Sequence, residues 1–151
     1  MIQRIQSIYL LVAIALQSLS LILNWSTYLL PEYYYALTGS SSSFESISAM
    51  PLMLGVIVSI ILLLVVLLQF KDRKKQMQFA NIAMIQLVLV IGLFSWLHYN
   101  LINAIKASNP ELEIGYGIAV IFPVLSAILV WLAKKAIKKD DDLVRSADRL
   151  R

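Results

Sequence analysis

The chain of 151 residues has no cysteine and a single histidine, His98. Without cysteine there is no structural disulfide, no thiol nucleophile and no quinone-linked disulfide chemistry. One histidine cannot clamp a haem between two histidines, nor supply a metal site that needs two. Charge is missing where it would matter most. The long apolar stretches carry no Asp, Glu, Lys or Arg in their cores. A proton-coupled exporter normally needs a carboxylate there, and a membrane aspartyl peptidase needs two that can approach each other. No GxSxG, P-loop or glycine-rich phosphate cradle occurs. The sequence therefore assigns no catalytic, cofactor-binding or metal-ligating residue and points away from an enzyme.

What the chain has in excess is apolar sequence. It is 60% hydrophobic with a mean hydropathy of +0.78, against about 45–50% apolar in an ordinary soluble domain. The excess falls in blocks of the length a bilayer requires, roughly 20 residues. These predict spans over about residues 8–30, 50–70, 79–101 and 114–133, making a membrane domain of 1–133 and a charged tail of 134–151. Pro31 ends the first span, and Pro51 suits the first turn of the second. The first run is too long for a signal peptide and has no small-x-small site closing it, which predicts an uncleaved anchor.

Basic residues orient the spans. Arg4, the cluster Lys71, Arg73, Lys74 and Lys75, and the lysines and arginines of the tail fall on one side; only Lys106 falls on the other. The positive-inside rule places that basic side in the cytoplasm, with both termini. Trp25, Tyr28, Trp96, Tyr99 and Tyr116 mark outer span ends, and Phe70, Phe79 and Trp131 inner ones, because amphipathic rings favour the headgroup level. The expected fold is all-α: an integral membrane four-helix bundle, up-down-up-down, ending in a short amphipathic tail helix.

Polar residues within the spans set the packing expectations. Gln3, Gln6, Leu10, Ala13, Gln17, Ser20 and Asn24 recur at spacings of three and four, one face of a helix. An amide facing lipid tails is costly, so this seam should face protein. Gln17 and Gln86 fall at similar depths and could hydrogen-bond. Span three repeats the rhythm at Gln78, Asn81, Ile85, Val88, Gly92, Ser95 and Tyr99, a period that suits left-handed packing at about 20°. Gly55 and Ser59 in span two, and Gly115, Ala119, Pro123 and Ala127 in span four, offer small ridges, and Pro123 should kink its helix. The seam residues Gln17, Ser20, Asn24 and Gln86 have two readings, bundle packing or the lining of a narrow polar path or lipid-headgroup site.

Other features weigh less. Ser95 and His98 are helical neighbours, yet nothing in the sequence supplies an oxyanion site; Glu111 or Glu113 would be the nearest acid. Asn24-Trp25-Ser26 matches a glycosylation sequon but sits at a span end. In the tail, Leu143, Ala147 and Leu150 share a face opposite Arg145 and Arg149, and Asp148 can pair with Arg145 or Arg151. Lys134, Lys135, Lys138 and Lys139 would lie near anionic headgroups, at about 1 kcal/mol each. The tail reads either as a topology signal or as a docking segment. Nucleic-acid binding is unsupported, since three aspartates interrupt the basic residues.

The opening MIQRIQSIYLL and the closing DDLVRSADRLR resemble the ends of a four-span membrane-protein family of the Bacteroidota, domain-of-unknown-function family 4293. The resemblance covers length, span count and both termini. Asp141-Asp142 stands where an Asp-Glu pair is expected in relatives. It implies a bacterial inner-membrane location and brings no activity or cofactor. It draws attention to Gln3, Arg4, Arg145, Asp148 and Arg149 as a cytoplasmic-face cluster. The reading is of a non-enzymatic interaction or scaffold component, partnered by the bilayer and by another membrane protein or a second copy. The alternative is a small transporter or lipid-binding protein that uses the span-one seam.

Overall fold

The computed structural model describes residues 2–23, 25–29, 50–70, 72–108 and 113–149. In chain order these form α1 (Ile2–Ile22), β1 (Ser26–Leu29), α2 (Met50–Leu68), α3 (Arg73–Ser108), β2 (Glu113–Tyr116), a 3-10 turn (Ile118–Val120) and α4 (Ile121–Arg149). All four helices are long and apolar enough to cross a membrane.

Each helix packs against its neighbours in sequence, and α1 closes the ring against α4. Hydrogen bonds between helices fix the register. Gln76 Nε2 donates to the Val66 carbonyl (3.2 Å) and Gln86 Nε2 to the Gly55 carbonyl (3.3 Å), so α2 and α3 run antiparallel. The Ser126 hydroxyl donates to the Ala13 carbonyl (3.3 Å), tying α4 to α1. Arg73 and Asp140 pair between α3 and α4. These two charges mark the basic end of the bundle.

The buried positions follow one rule. They are 6, 10, 13, 17 and 20 on α1; 52, 56, 59, 63 and 66 on α2; 76, 80, 83, 87, 90, 94, 97 and 101 on α3, where His98 is buried in addition to the stripe; and 123, 126, 130, 133 and 137 on α4. Steps of four and three alternate on every helix. A repeat of 3.5 residues keeps a stripe facing its partner in shallow left-handed packing. The basic half of the core uses small residues, Ala13, Ala80, Ala83 and Ala133, between Leu10, Leu63 and Leu87. The far half is filled by Trp25, Phe94, Leu97 and Leu52.

Several sequence expectations are corrected here. Span one begins six residues before the expected position 8 and stops at Ile22; residues 26–29 leave the helix and pair antiparallel with 113–116, from Ser26↔Tyr116 to Leu29↔Glu113. The pairing segments STYL and EIGY carry Thr, Tyr and Ile, which fit a pleated surface better than a helix. The Gly117 N–H donates to the Trp25 carbonyl (2.8 Å), extending the join. Span four is likewise not helical from residue 114. Its α-helix starts at Ile121, so Pro123 stands in the first turn and does not kink it; the N–H it lacks has no intrahelical acceptor there. The tail is no separate helix either, since α4 continues unbroken to Arg149.

The stripe chosen on span three faces outward. Gln78, Asn81, Ile85, Val88, Gly92, Ser95 and Tyr99 are all exposed, and the opposite face enters the core. Trp25, just past the end of α1, turns into the core, 3% exposed, with its indole N–H donating to the Ser20 carbonyl (2.8 Å). The loop at 31–49, Asn24 and Glu111 lie outside the described residues, and so does the side chain of Glu113.

The two described span glycines differ in their surroundings. A Cβ at Gly55 would meet Val90 Cγ2 at 3.2 Å, whereas one at Gly92 would meet nothing within 4 Å. Gly55→Leu should therefore lower the stability of the detergent-solubilised chain by about 1–3 kcal/mol, through overpacking of α2 against α3. Gly92→Leu should leave it within roughly 0.5 kcal/mol of wild type. Denaturant unfolding of both variants compares them directly.

Candidate functional site

Two regions concentrate polar groups: the interior of the bundle and its basic end. In the interior, Gln17, Ser20, Ser59 and Ser126 are fully buried. Three of them are hydroxyls that return to backbone carbonyls. Ser20 donates to Gln17 (2.7 Å), Ser59 to Gly55 (2.9 Å) and Ser126 across to Ala13 (3.3 Å). This is the economical way to keep a hydroxyl in lipid, since the alternative is an unmatched polar group.

Gln17 departs from that pattern. It is 0% exposed, and neither its amide oxygen nor its nitrogen has a hydrogen-bond partner among the described residues. The Ser126–Ala13 bond sets its level, because Gln17 lies one turn further toward the far end, roughly 6 Å along the axis. The sequence-based pairing of Gln17 with Gln86 does not form. Gln86 turns toward α2 and donates to Gly55, on the other side of α3's buried stripe. The expected seam thus divides. Gln17 and Ser20 share the buried face of α1, Gln86 belongs to the α2–α3 groove, and Asn24 lies outside the described residues. Gln6, near the basic end, also buries its amide nitrogen without a partner among the described residues.

At the far end a run of aromatic contacts leads from Trp25 to Tyr116 of β2. The rings of Trp25 and Phe94 lie 5.4 Å apart, Phe94 and His98 5.3 Å, and His98 and Tyr116 4.4 Å. His98 is 3% exposed, with Phe94 and Tyr116 against it at interplanar angles of 28° and 29°. Its helical neighbour Ser95 points the other way, exposed, with its hydroxyl on the Ile91 carbonyl (2.9 Å). Ser95 and His98 are therefore not a pair. Sequence reasoning missed this stack, although the i, i+4 spacing of Phe94 and His98 was a legible signal.

The basic end is organised by charge. Asp72 caps α3: its carboxylate accepts the Lys75 backbone N–H (3.2 Å) and pairs with the Lys75 ammonium (3.3 Å). The backbone N–H of Lys75, and then its side chain, hold the Asp72 carboxyl below its ordinary value of 3.8. The Arg73–Asp140 pair is more enclosed, with side chains 22% and 16% exposed. On α4, Lys135 Nζ sits 5.3 Å over the Trp131 ring, and Lys138, Lys139, Asp142 and Leu143 continue the same surface. The side chains of Gln3, Arg4, Arg145, Asp148 and Arg149 lie outside the described residues. The helical register does not bring their backbones together. Taken from Ser126 against Ala13, it sets residue 4 level with about residue 135, some 20 Å of helix short of residue 148. Among the described residues no group of three His, Asp or Glu could hold a metal ion.

Two outcomes follow from this geometry. Gln17→Leu removes an unmatched buried amide at nearly constant volume and should stabilise the bundle by about 1–2 kcal/mol in denaturant unfolding; a loss of stability would reveal a partner for the amide. Because the folded pKa of Asp72 is lowered, its stabilising effect is full above pH 3.8 and disappears as pH falls through the lower folded value. Asp72→Asn, which retains a capping oxygen, should lack this acid-dependent loss when thermal unfolding is followed against pH.

Comparison with curated proteins and with solved structures gives no match. Residues 2–150, which include all four membrane-length helices, match the family model described as Domain of unknown function (DUF4293). The chain belongs to the DUF4293 family.

Proposed function

We propose that the protein is a multi-pass, non-enzymatic interaction or scaffold component of a bacterial inner membrane, with both termini in the cytoplasm. The charge distribution supports the orientation. Arg73, Lys74 and Lys75 share one end of the bundle with Lys135, Lys138 and Lys139, and Lys106 is at the other. Such asymmetry retains basic ends in the cytoplasm.

The observation that carries the functional reading is the length of α4. It runs as one helix to Arg149, past the level at which Asp140 pairs with Arg73 of α3. Residues 141–149 extend roughly 13 Å further along the axis. Leu143 is half exposed on this extension, beside Lys139 and Asp142. A continuous helical end carrying an exposed leucine among charges suits a docking segment for a cytoplasmic or membrane partner. A segment that is already helical lowers the ordering cost of binding.

A second reading rests on Gln17. A fully buried amide with no partner among the described residues suits a small transporter or lipid-binding protein that presents it to a polar ligand. A chain carrying Gln17→Leu and Asn24→Leu that fully complements a deletion strain removes this reading.

For the first reading, a photo-crosslinking residue at position 143 should capture a defined partner in intact membranes. Deleting residues 143–151 should abolish crosslinks made from position 139 to that same partner while membrane insertion is kept. Retention of every adduct by the truncated chain would sink the proposal.

A further inference from the structure

Within a bilayer, the outward faces of the four helices should be as apolar as the lipid they meet. Three nearly are. The outer face of α2 is Leu54, Ile57, Val58, Ile61 and Leu64, and that of α4 is Ile121, Val124, Leu125, Ile128 and Trp131. On α1 it is Ile8, Leu11, Val12 and Leu19, with Ala15 and one serine, Ser18, whose hydroxyl is returned to the Ile14 carbonyl (3.0 Å).

The outer face of α3 is different. It exposes Asn81, Gly92 and Ser95 among Ile85, Val88 and Tyr99. Ser95 is satisfied within its own helix. Asn81 has no hydrogen bond within the described bundle. It stands eight residues beyond Arg73, about 12 Å along the axis, inside the stretch of α3 long and apolar enough to cross a bilayer. A side-chain amide exposed there to hydrocarbon carries an uncompensated transfer cost. Gly92, three turns further on, has open space where a Cβ would be. Beside it, Gly55, Gln86, Leu89 and Leu93 line a groove of about 600 Å³ between α2 and α3.

We propose that this face of α3 binds a second copy of the chain, helix to helix and in parallel, through Asn81 and Gly92. Three features select the occupant. All copies in one membrane share an orientation, so a two-fold axis along the bilayer normal brings each α3 residue to the depth of its own equivalent. An asparagine amide is both donor and acceptor, and pairs with another asparagine at equal depth, the role a single buried Asn plays in setting register in parallel coiled coils. Between Lys75 and Lys106, α3 carries no charged residue, so two copies meet without like-charge repulsion. Positions 81, 85, 88, 92, 95 and 99 step by four and three, as the seam of a parallel pair requires, and Gly92 allows the backbones to close. This surface lies on a different part of the molecule from the α4 extension, and it requires only that the helices span a bilayer.

The absence of cysteine makes the test direct. Single-cysteine chains Val88→Cys and Gly92→Cys, otherwise full length, are oxidised with copper-phenanthroline in isolated membranes, beside Ile61→Cys on α2 and Leu11→Cys on α1. The two α3 variants should form a disulfide-linked dimer of twice the chain mass, and the controls should form little. Adding Asn81→Leu to Val88→Cys should lower the dimer association constant about three- to fifteen-fold, the range for an interhelical polar contact in lipid. Asn81 faces away from the bundle, so that variant keeps the monomer fold, which unfolding in detergent verifies. Equal crosslinking from all faces would mean simple lipid exposure, and adducts of another mass would mean a different membrane protein; either result overturns the proposal. An Asn81→Leu chain that dimerises as well as its parent overturns it too. Deleting residues 143–151 tests the docking reading separately, since it should leave the α3 crosslinks unchanged.

Discussion

A polar group inside a bilayer must find its partner within the protein, and the bundle is arranged around that requirement. Helices satisfy their own backbones, which leaves the side chains of α1 to α4 to be matched. The described core does this mostly with carbonyls as acceptors: Ser20 on Gln17, Ser59 on Gly55, Ser126 on Ala13, Gln76 on Val66 and Gln86 on Gly55. Three of these five bonds cross between helices, so the contacts that satisfy polar groups also set register. Each is worth only about 0.6 kcal/mol on average in lipid. Their effect is to choose among packings that apolar contacts alone would leave nearly equal in energy.

The two ends of the bundle are built differently from its middle. At the basic end, charge does the joining, with Arg73 and Asp140 linking α3 to α4 and Asp72 capping α3. At the far end, rings do it. Trp25, Phe94, His98 and Tyr116, the last residue of β2, touch in succession. The backbone bonds of β1 with β2 join the end of the α1 segment to the start of the α4 segment, the same two helices that Ser126 ties together in the middle. The departures from this economy include Gln17, matched by nothing among the described residues, and Asn81, an amide turned outward. Both residues lie where an ordinary bundle would place a leucine, and each anchors one of the functional readings.

Much of this was legible in the order of residues. The number of spans came from apolar block lengths, the buried face of α1 from the spacing of Gln6, Leu10, Ala13, Gln17 and Ser20, and the family from both termini. The inward face of α3 was not legible. Every face of a helix repeats at three and four, so rhythm alone cannot choose one, and the polar stripe Gln78 to Tyr99 looked like the counterpart of the α1 seam. In water, hydropathy would have decided the matter. In lipid the surroundings are as apolar as the core, so hydropathy cannot tell in from out.

The sequence by itself determined that this is an all-α chain of four membrane-length segments, with basic residues gathered at one end and no charge in the span cores. Those properties depend on local composition and length. Tertiary structure alone decided that Trp25 turns inward, that residues 26–29 leave the helix to pair with 113–116, that Pro123 begins α4, and that the stripe bearing Asn81 and Gly92 faces away from the bundle. Three of these depend on a partner distant in the chain: Phe94 for Trp25, β2 for β1, and α2 and α4 competing for the other side of α3. No window of local sequence contains both members of such a pair, so only the assembled fold could settle them; the start of α4 follows once residues 113–116 are drawn into the strand pair.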